Sequence, residues 1–233
     1  VVDADARSVT VRDLLRHASG FPQHDDLFFG NGAASCREAA ARAMTSGVAS
    51  GTPVRYSNMN YCVLGILIEA LTGRTYERVV TERLLTPLGI VGMRTTGTHE
   101  LGPDEVSHHP TPGRNYMETL GAAGAWNATP TDVVTILNSI DPTTPGWKAL
   151  SDEMMHTMRT GVSTTDTPTG YGLGVINFGG GVWGHTGTIE HAVSMVAVEP
   201  DGFTWAITVS GSAIRDADDL RLVFRRSVAD AFG

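Results

Sequence analysis

Apolar positions follow two regimes along the chain, a helical period up to about residue 160 and an alternating one beyond residue 170. Val11, Leu14 and Leu15 follow Thr10, with Asp13 placed to cap, and predict a short first helix closed by Gly20. Ser35 with Glu38 forms a capping box for a second, whose apolar face carries Ala39, Ala40, Ala43 and Met44 and which Gly47 ends. Tyr61, Leu64, Ile68 and Leu71 recur at helical spacing up to Gly73, a natural C-cap. Thr75 caps the next helix, with Val79, Val80, Leu84 and Leu85, and Pro87 breaks it. Thr129-Pro130-Thr131-Asp132 sets a cap and a first-turn proline before Val133, Ile136, Leu137 and Ile140, and a short helix is expected around Met154 to Met158.

Tyr171 to Phe178, Val182 to His185, Ala192 to Glu199 and Phe203 to Ser210 then alternate with aromatic and β-branched residues, and Pro200-Asp201-Gly202 supplies a hairpin turn. These segments predict an antiparallel sheet. Asp216, Asp218 and Asp219 open a last helix that buries Leu220, Val223, Phe224, Val228 and Phe232, with Arg225 and Arg226 near its end to suit the macrodipole. Two stretches lack a period. Phe21 to Gly32 reads as a loop plugged by Leu27, Phe28 and Phe29, and Gly92 to Gly121 as an extended cleft-side or surface insertion. Helices followed by a sheet and a closing helix make the chain α+β. With no repeat or linker, one domain over 1–233 is expected, a helical lobe at about 8–165 and the sheet with its terminal helix at about 170–233.

The 233 residues can bury roughly 70% of their unfolded surface, so a sizeable core is available. A net charge of −8, spread along the chain, repels phosphate backbones and anionic membranes and excludes nucleic acid as a partner. The longest apolar run, Cys62 to Ile68, falls far short of the roughly twenty residues of a membrane span. The opening Val1-Val2-Asp3 has no signal-like pattern and says nothing of targeting. Cys36 and Cys62 admit one disulfide or two buried thiols. His108-His109, and His24 with Asp25 and Asp26, match no helix-borne zinc spacing and read as solvated loop, so neither metal nor cofactor is expected.

The densest chemistry lies in Gly51-Thr52-Pro53-Val54-Arg55-Tyr56-Ser57-Asn58, where a rigid approach delivers three polar side chains just before a helix. A phenol serves as general base beside a cation, and an Asn holds an amide-like group by donor and acceptor together. The plainer reading is that Ser57 or Asn58 caps the helix. Read with Leu14-Leu15-Arg16-His17-Ala18-Ser19-Gly20 upstream, then Tyr171-Gly172-Leu173-Gly174 and Trp183-Gly184-His185-Thr186-Gly187-Thr188 downstream, the chain resembles the serine β-lactamase and penicillin-binding protein superfamily, in its class C-like and esterase branch. That resemblance covers nearly the whole chain.

It implies a β-lactamase/transpeptidase-like fold with Tyr56 as base or proton shuttle, Asn58 orienting the substrate and Ser57 structural. His185, Thr186, Gly187 and Thr188 would line the site on an edge strand, the Thr188 N–H donating to an oxyanion. His17 and Ser19 read as a buried helix end. His185 replaces the Lys of many relatives and grips a substrate carboxylate less strongly, which favours ester or peptide over lactam. The family's nucleophile lies in Ser-x-x-Lys, and this chain has none: its one lysine is Lys148, with Pro145 three residues before it. A Gly-x-Ser-x-Gly elbow is also missing, which argues against α/β-hydrolase chemistry.

The expectation is a serine hydrolase acting by acyl transfer on an ester, peptide or β-lactam carbonyl, inactive here without an N-terminal segment that brings the nucleophile. The rival is a non-catalytic binder of peptidoglycan or a protein partner on the same fold. A groove left by that segment is expected to favour association of copies or segment swapping. The resemblance also implies an exported or envelope location.

Overall fold

The computed structural model describes residues 5–45, 53–160, 170–211, 214 and 216–232. Gly47, Gly51 and Thr52, which the sequence assigns to a helix end and to the approach to Tyr56, lie outside them. A 3-10 turn at Asp5–Ser8 precedes α1 (Val11–Leu15), whose Thr10 and Asp13 close a reciprocal capping box. Next come α2 (Asp25–Phe28), α3 (Cys36–Ala43) and α4 (Asn58–Thr72). Helix α4 starts on the Ser57 side chain and ends at Gly73 with φ +66°, a conformation glycine adopts without steric cost. Helix α5 (Tyr76–Val80) runs on through a π turn at Thr81–Leu85.

Past Gly92 come β1 (Arg94–Thr95), α6 (Tyr116–Leu120) and β2 (Trp126–Asn127), which pairs antiparallel with β1. Helices α7 (Pro130–Ser139) and α8 (Asp152–Arg159) follow. The second half is a five-stranded antiparallel meander of β3 (Gly170–Tyr171), β4 (Ile176–Gly179), β5 (Val182–Ile189), β6 (Ala192–Val198) and β7 (Thr204–Ser210), closed by α9 (Ala217–Phe232).

Among the described residues three apolar clusters hold these elements. In the helical part Leu14, Phe21, Phe28, Met59, Tyr116 and Leu120 are buried together. The alternation of β6 serves both faces of the sheet: Val193, Met195 and Ala197 pack with Trp205 and Leu220 under α9, whereas Val196 and Val198 pack with Leu137, Val175 and Trp183 under α7. A Cys36–Cys62 disulfide ties the start of α3 to α4.

Several expectations are corrected. The Phe21–Gly32 loop contains α2, and the Gly92–Gly121 stretch is no surface insertion at its end, since α6 buries Tyr116, Met117 and Leu120. Helices of four or five residues span barely a turn and leave no period to read. The single strand expected from Tyr171 to Phe178 is two, because the chain turns back at Gly174, φ +89°, with the Gly172 N–H donating to the Val175 carbonyl at 2.7 Å. Val11, Leu71 and Val223, placed on apolar faces by spacing, are exposed. Arg225 and Arg226 lie mid-helix, because α9 continues to Phe232.

Candidate active site

The approach to α4 is fixed from below by a buried polar cluster. His17 follows α1 in the left-handed region, φ +57°, and is 1% exposed. Its Nδ1 accepts the Ser57 N–H at 3.1 Å and the Asn60 side-chain amide at 2.9 Å. A backbone N–H can only donate, so Nδ1 is unprotonated and Nε2 carries the hydrogen. Ser19 donates its hydroxyl to Asn60 Oδ1, and Ser57 donates to the Pro22 carbonyl at 2.6 Å while accepting the Met59 N–H. The His17 ring packs against Tyr56, Tyr171 and Tyr61 at centroid distances of 4.3, 4.5 and 5.2 Å. Burial holds its pKa down to about 4, with His185 nearby adding to the effect.

This arrangement aims Tyr56 and Asn58 outward while Ser57 faces in. Among the described residues neither the Tyr56 hydroxyl nor the Asn58 carboxamide makes a hydrogen bond, and both line a cavity of about 1160 Å³. His185, Thr186, Gly187 and Thr188 line the same cavity, so the six candidate residues converge on one space. The edge-strand expectation is corrected in part. Strand β5 is the middle strand in order, yet its pairing with β4 stops at Gly184, and from His185 to Ile189 it pairs with β6 alone. Alternate N–H groups of that segment therefore face the open side.

His185 is not a free cation. Its Nδ1 lies 2.6 Å from the Thr186 carbonyl, which can only accept, so Nδ1 carries the hydrogen and Nε2 accepts the Tyr171 hydroxyl at 3.0 Å. Burial lowers its pKa, opposed by the Thr186 carbonyl. Burial also raises the Tyr56 pKa, and no neighbouring cation among the described residues offsets it. Lys148 is engaged elsewhere, donating to the Asn138 and Asp141 carbonyls and to the Thr144 hydroxyl.

Two contributors escaped the sequence reading. Tyr171 links His17, Tyr56 and His185, and only its place in Tyr-Gly-Leu-Gly marked it. Asn60 looks like an ordinary first-turn helical residue, yet it is fully buried and bonds both His17 and Ser19. Among the described residues no cluster of His, Cys, Asp or Glu is arranged to hold a metal ion.

A meander sheet with helices on both faces, and a Tyr-Ser-Asn turn opposite a His-Thr-Gly strand, define a β-lactamase/transpeptidase-like protein. Residues 2–225 match the family described as Beta-lactamase, and the chain belongs to that family. Among curated proteins it is similar to Unguisins hydrolase ungD' of Aspergillus campestris, 34% identical over 91 residues, which are 37% of this chain and 17% of the relative. It is also similar to Penicillin-binding protein 4 of Amycolatopsis lactamdurans, 34% identical over 97 residues, 39% of this chain and 24% of the relative. The matched stretches make up less than a quarter of either relative. Among solved structures, a D-stereospecific amidohydrolase from Streptomyces superposes with a TM-score of 0.69 at 25% identity, over 88% of this chain and 68% of that one.

Proposed function

We propose that this chain forms the substrate-binding and proton-transfer half of a serine hydrolase that cleaves an uncharged amide, peptide or ester carbonyl by acyl transfer. The observation that carries this reading is the convergence of Tyr56, Asn58 and His185–Thr188 on one cavity. Asn58 holds the acyl side of the substrate through its unengaged carboxamide, and the Thr188 N–H donates to the oxyanion. A serine Oγ attacks the carbonyl carbon, its proton passes by way of Tyr56 to the departing amine or alkoxide, and water then releases the acyl group from the serine.

The serine and the lysine that would keep Tyr56 basic belong to a Ser-x-x-Lys segment seated in the same cavity. At about 1160 Å³ that cavity exceeds the roughly 300–1,000 Å³ of ordinary ligand pockets, which agrees with room for such a segment. Without the segment this chain is inactive and prone to self-association. The neutral, doubly bonded His185 offers no cation to a substrate carboxylate, which favours amide and ester over β-lactam. The amidohydrolase likeness agrees with an amide, and with one of D-configuration.

An oxidising, extracytoplasmic location agrees with the Cys36–Cys62 disulfide, and among the described residues no helix is long and apolar enough to cross a membrane. The alternative, a non-catalytic binder of peptidoglycan or a protein partner, is favoured by the unassisted Tyr56 phenol. Intact-mass analysis after a fluorophosphonate probe separates the two. A longer polypeptide with Ser-x-x-Lys upstream takes one adduct on that serine, and this chain alone takes none. If the longer polypeptide stays unlabelled, the binder reading replaces the enzyme; an adduct on a serine of this chain moves the site.

A further inference from the structure

Tyr171 ends β3, at the edge of the sheet, and does not line the Tyr56 cavity; His185, which it touches, does. The two glycines of Tyr171-Gly172-Leu173-Gly174 let the chain come in this closely. A Cβ at Gly172 would collide with the Met158 carbonyl oxygen, and one at Gly174 would lie 3.0 Å from the Tyr61 hydroxyl. The Leu173 N–H donates to the same Met158 carbonyl at 2.9 Å and fastens the turn to α8. The Tyr171 ring is thereby set edge-on to His17, at a centroid distance of 4.5 Å, and edge-on to His185, at 5.8 Å.

The neighbouring phenol, Tyr61, donates its hydrogen to the Leu15 carbonyl at 2.8 Å, so the hydrogen that reaches His185 Nε2 is that of Tyr171. Burial raises the Tyr171 pKa and keeps it a phenol, hence a donor. With Nδ1–H on the Thr186 carbonyl and Nε2 accepting from Tyr171, neither ring nitrogen is left for a substrate. The bond to Nε2 also fills the lone pair that a proton would take, and so opposes the imidazolium. The cross-strand neighbour of His185 on β6 is Val196, and the titratable groups that face it among the described residues are Tyr171 and His17, both uncharged. Nothing else in that wall withholds a cation as directly as the Tyr171 hydroxyl does.

We propose that Tyr171 is a positioning residue that determines specificity: through His185 Nε2 it keeps the substrate wall uncharged, so the cavity takes a substrate with a neutral group beside His185 and disfavours a carboxylate there. The substrate side of this rests on the hydrolase reading; the state of His185 does not. The test is nitrogen-15 NMR of the histidine rings in this chain and in Tyr171→Phe at pH 6.5, where a free imidazole is half protonated, alone and with D-phenylalanine or D-phenylalanine amide. His185→Gln assigns the signal. In the parent, His185 is expected as the neutral Nδ1–H form with either probe. Tyr171→Phe keeps the ring and removes the donor, which leaves Nε2 unsatisfied and open to a proton. D-phenylalanine should then convert His185 to imidazolium and gain about tenfold in affinity relative to the amide, because a charge-assisted bond replaces a neutral contact. A merely structural Tyr171 would lower the melting temperature and leave ring charge and probe preference as they were. An imidazolium or Nε2–H form in the parent, or a Phe variant with unchanged ring signals and preference, overturns the proposal. If the variant misfolds, the parent decides: a His185 that D-phenylalanine protonates there overturns it, and one that stays neutral upholds it. These readings need no turnover, so a longer polypeptide that leaves D-phenylalanine amide intact defeats the hydrolase reading alone.

Discussion

Acid should loosen the Tyr-Ser-Asn turn through His17, and the size of the effect follows from its surroundings. In the folded chain Nδ1 accepts from two buried donors, so a proton placed on it has nowhere to point. The pKa accordingly falls from 6.5 to about 4, chiefly by burial. A base whose folded pKa is depressed binds fewer protons folded than unfolded between those two values. Stability is then complete above pH 6.5 and declines as pH falls toward 4, by roughly 1.4 kcal/mol per unit and about 3 kcal/mol in all.

His24, His108 and His185 are also lowered by burial and act in the same direction. Asp13, Glu38 and Glu105, lowered by their hydrogen bonds, stabilise above their unfolded pKa and lose that contribution only as pH drops below about 4.5. The comparison that isolates His17 is His17→Asn, which tolerates the left-handed backbone and does not titrate. Urea unfolding of both proteins at pH 7.5 and pH 4.5 is the assay. The variant should be about 2–4 kcal/mol less stable at pH 7.5, where it orphans Ser57 and Asn60 donors, and should lose about 2–3 kcal/mol less than the parent on acidification. Equal losses in the two proteins refute the reasoning, since His17 would then titrate alike folded and unfolded.

Further outcomes follow from the same contacts. Replacing Cys36 and Cys62 together by Ala opens a cross-link over 26 residues and should cost about 3.5 kcal/mol in denaturant titration; a loss below about 1 kcal/mol means the loop is constrained by packing instead. Tyr171→Phe leaves His185 Nε2 without its donor, for about 1–2 kcal/mol in a thermal melt, and an unchanged melting temperature contradicts that hydrogen bond. Phe224→Ala removes a ring stacked on Trp205 at 4.0 Å and should cost about 2–3 kcal/mol with a change in tryptophan fluorescence; silence in both would place α9 off the sheet.

The longer elements were legible because they repeat: α4 and α7 fall where caps and period place them, as do the strands of the β6–β7 hairpin, and α8 covers the short helix expected around Met154 to Met158. Helices α2 and α6 were not legible, and α6 owes its burial to Tyr116, Met117 and Leu120, whose partners lie far off in the chain. Residues Tyr56, Asn58 and His185–Thr188 stood out through motif order, and the fold gathers them at one cavity. The work of His17 and Asn60 was hidden, because a buried polar side chain declares itself only when its distant partners are known. His185 offered a cation by residue type, and only the Tyr171 hydroxyl and Thr186 carbonyl reveal it as neutral.

Under the proposed function, Tyr56 transfers the proton in acyl transfer at this cavity. Its hydroxyl has no hydrogen-bond partner among the described residues, so Tyr56→Phe should leave stability unchanged. The decisive measurement is kcat/KM for D-phenylalanine amide by the polypeptide that carries Ser-x-x-Lys together with this chain, with and without Tyr56→Phe. A fall of roughly 10²–10⁴-fold at an unchanged melting temperature is the predicted result. Full activity in the Phe variant would contradict the account and assign the proton to another group.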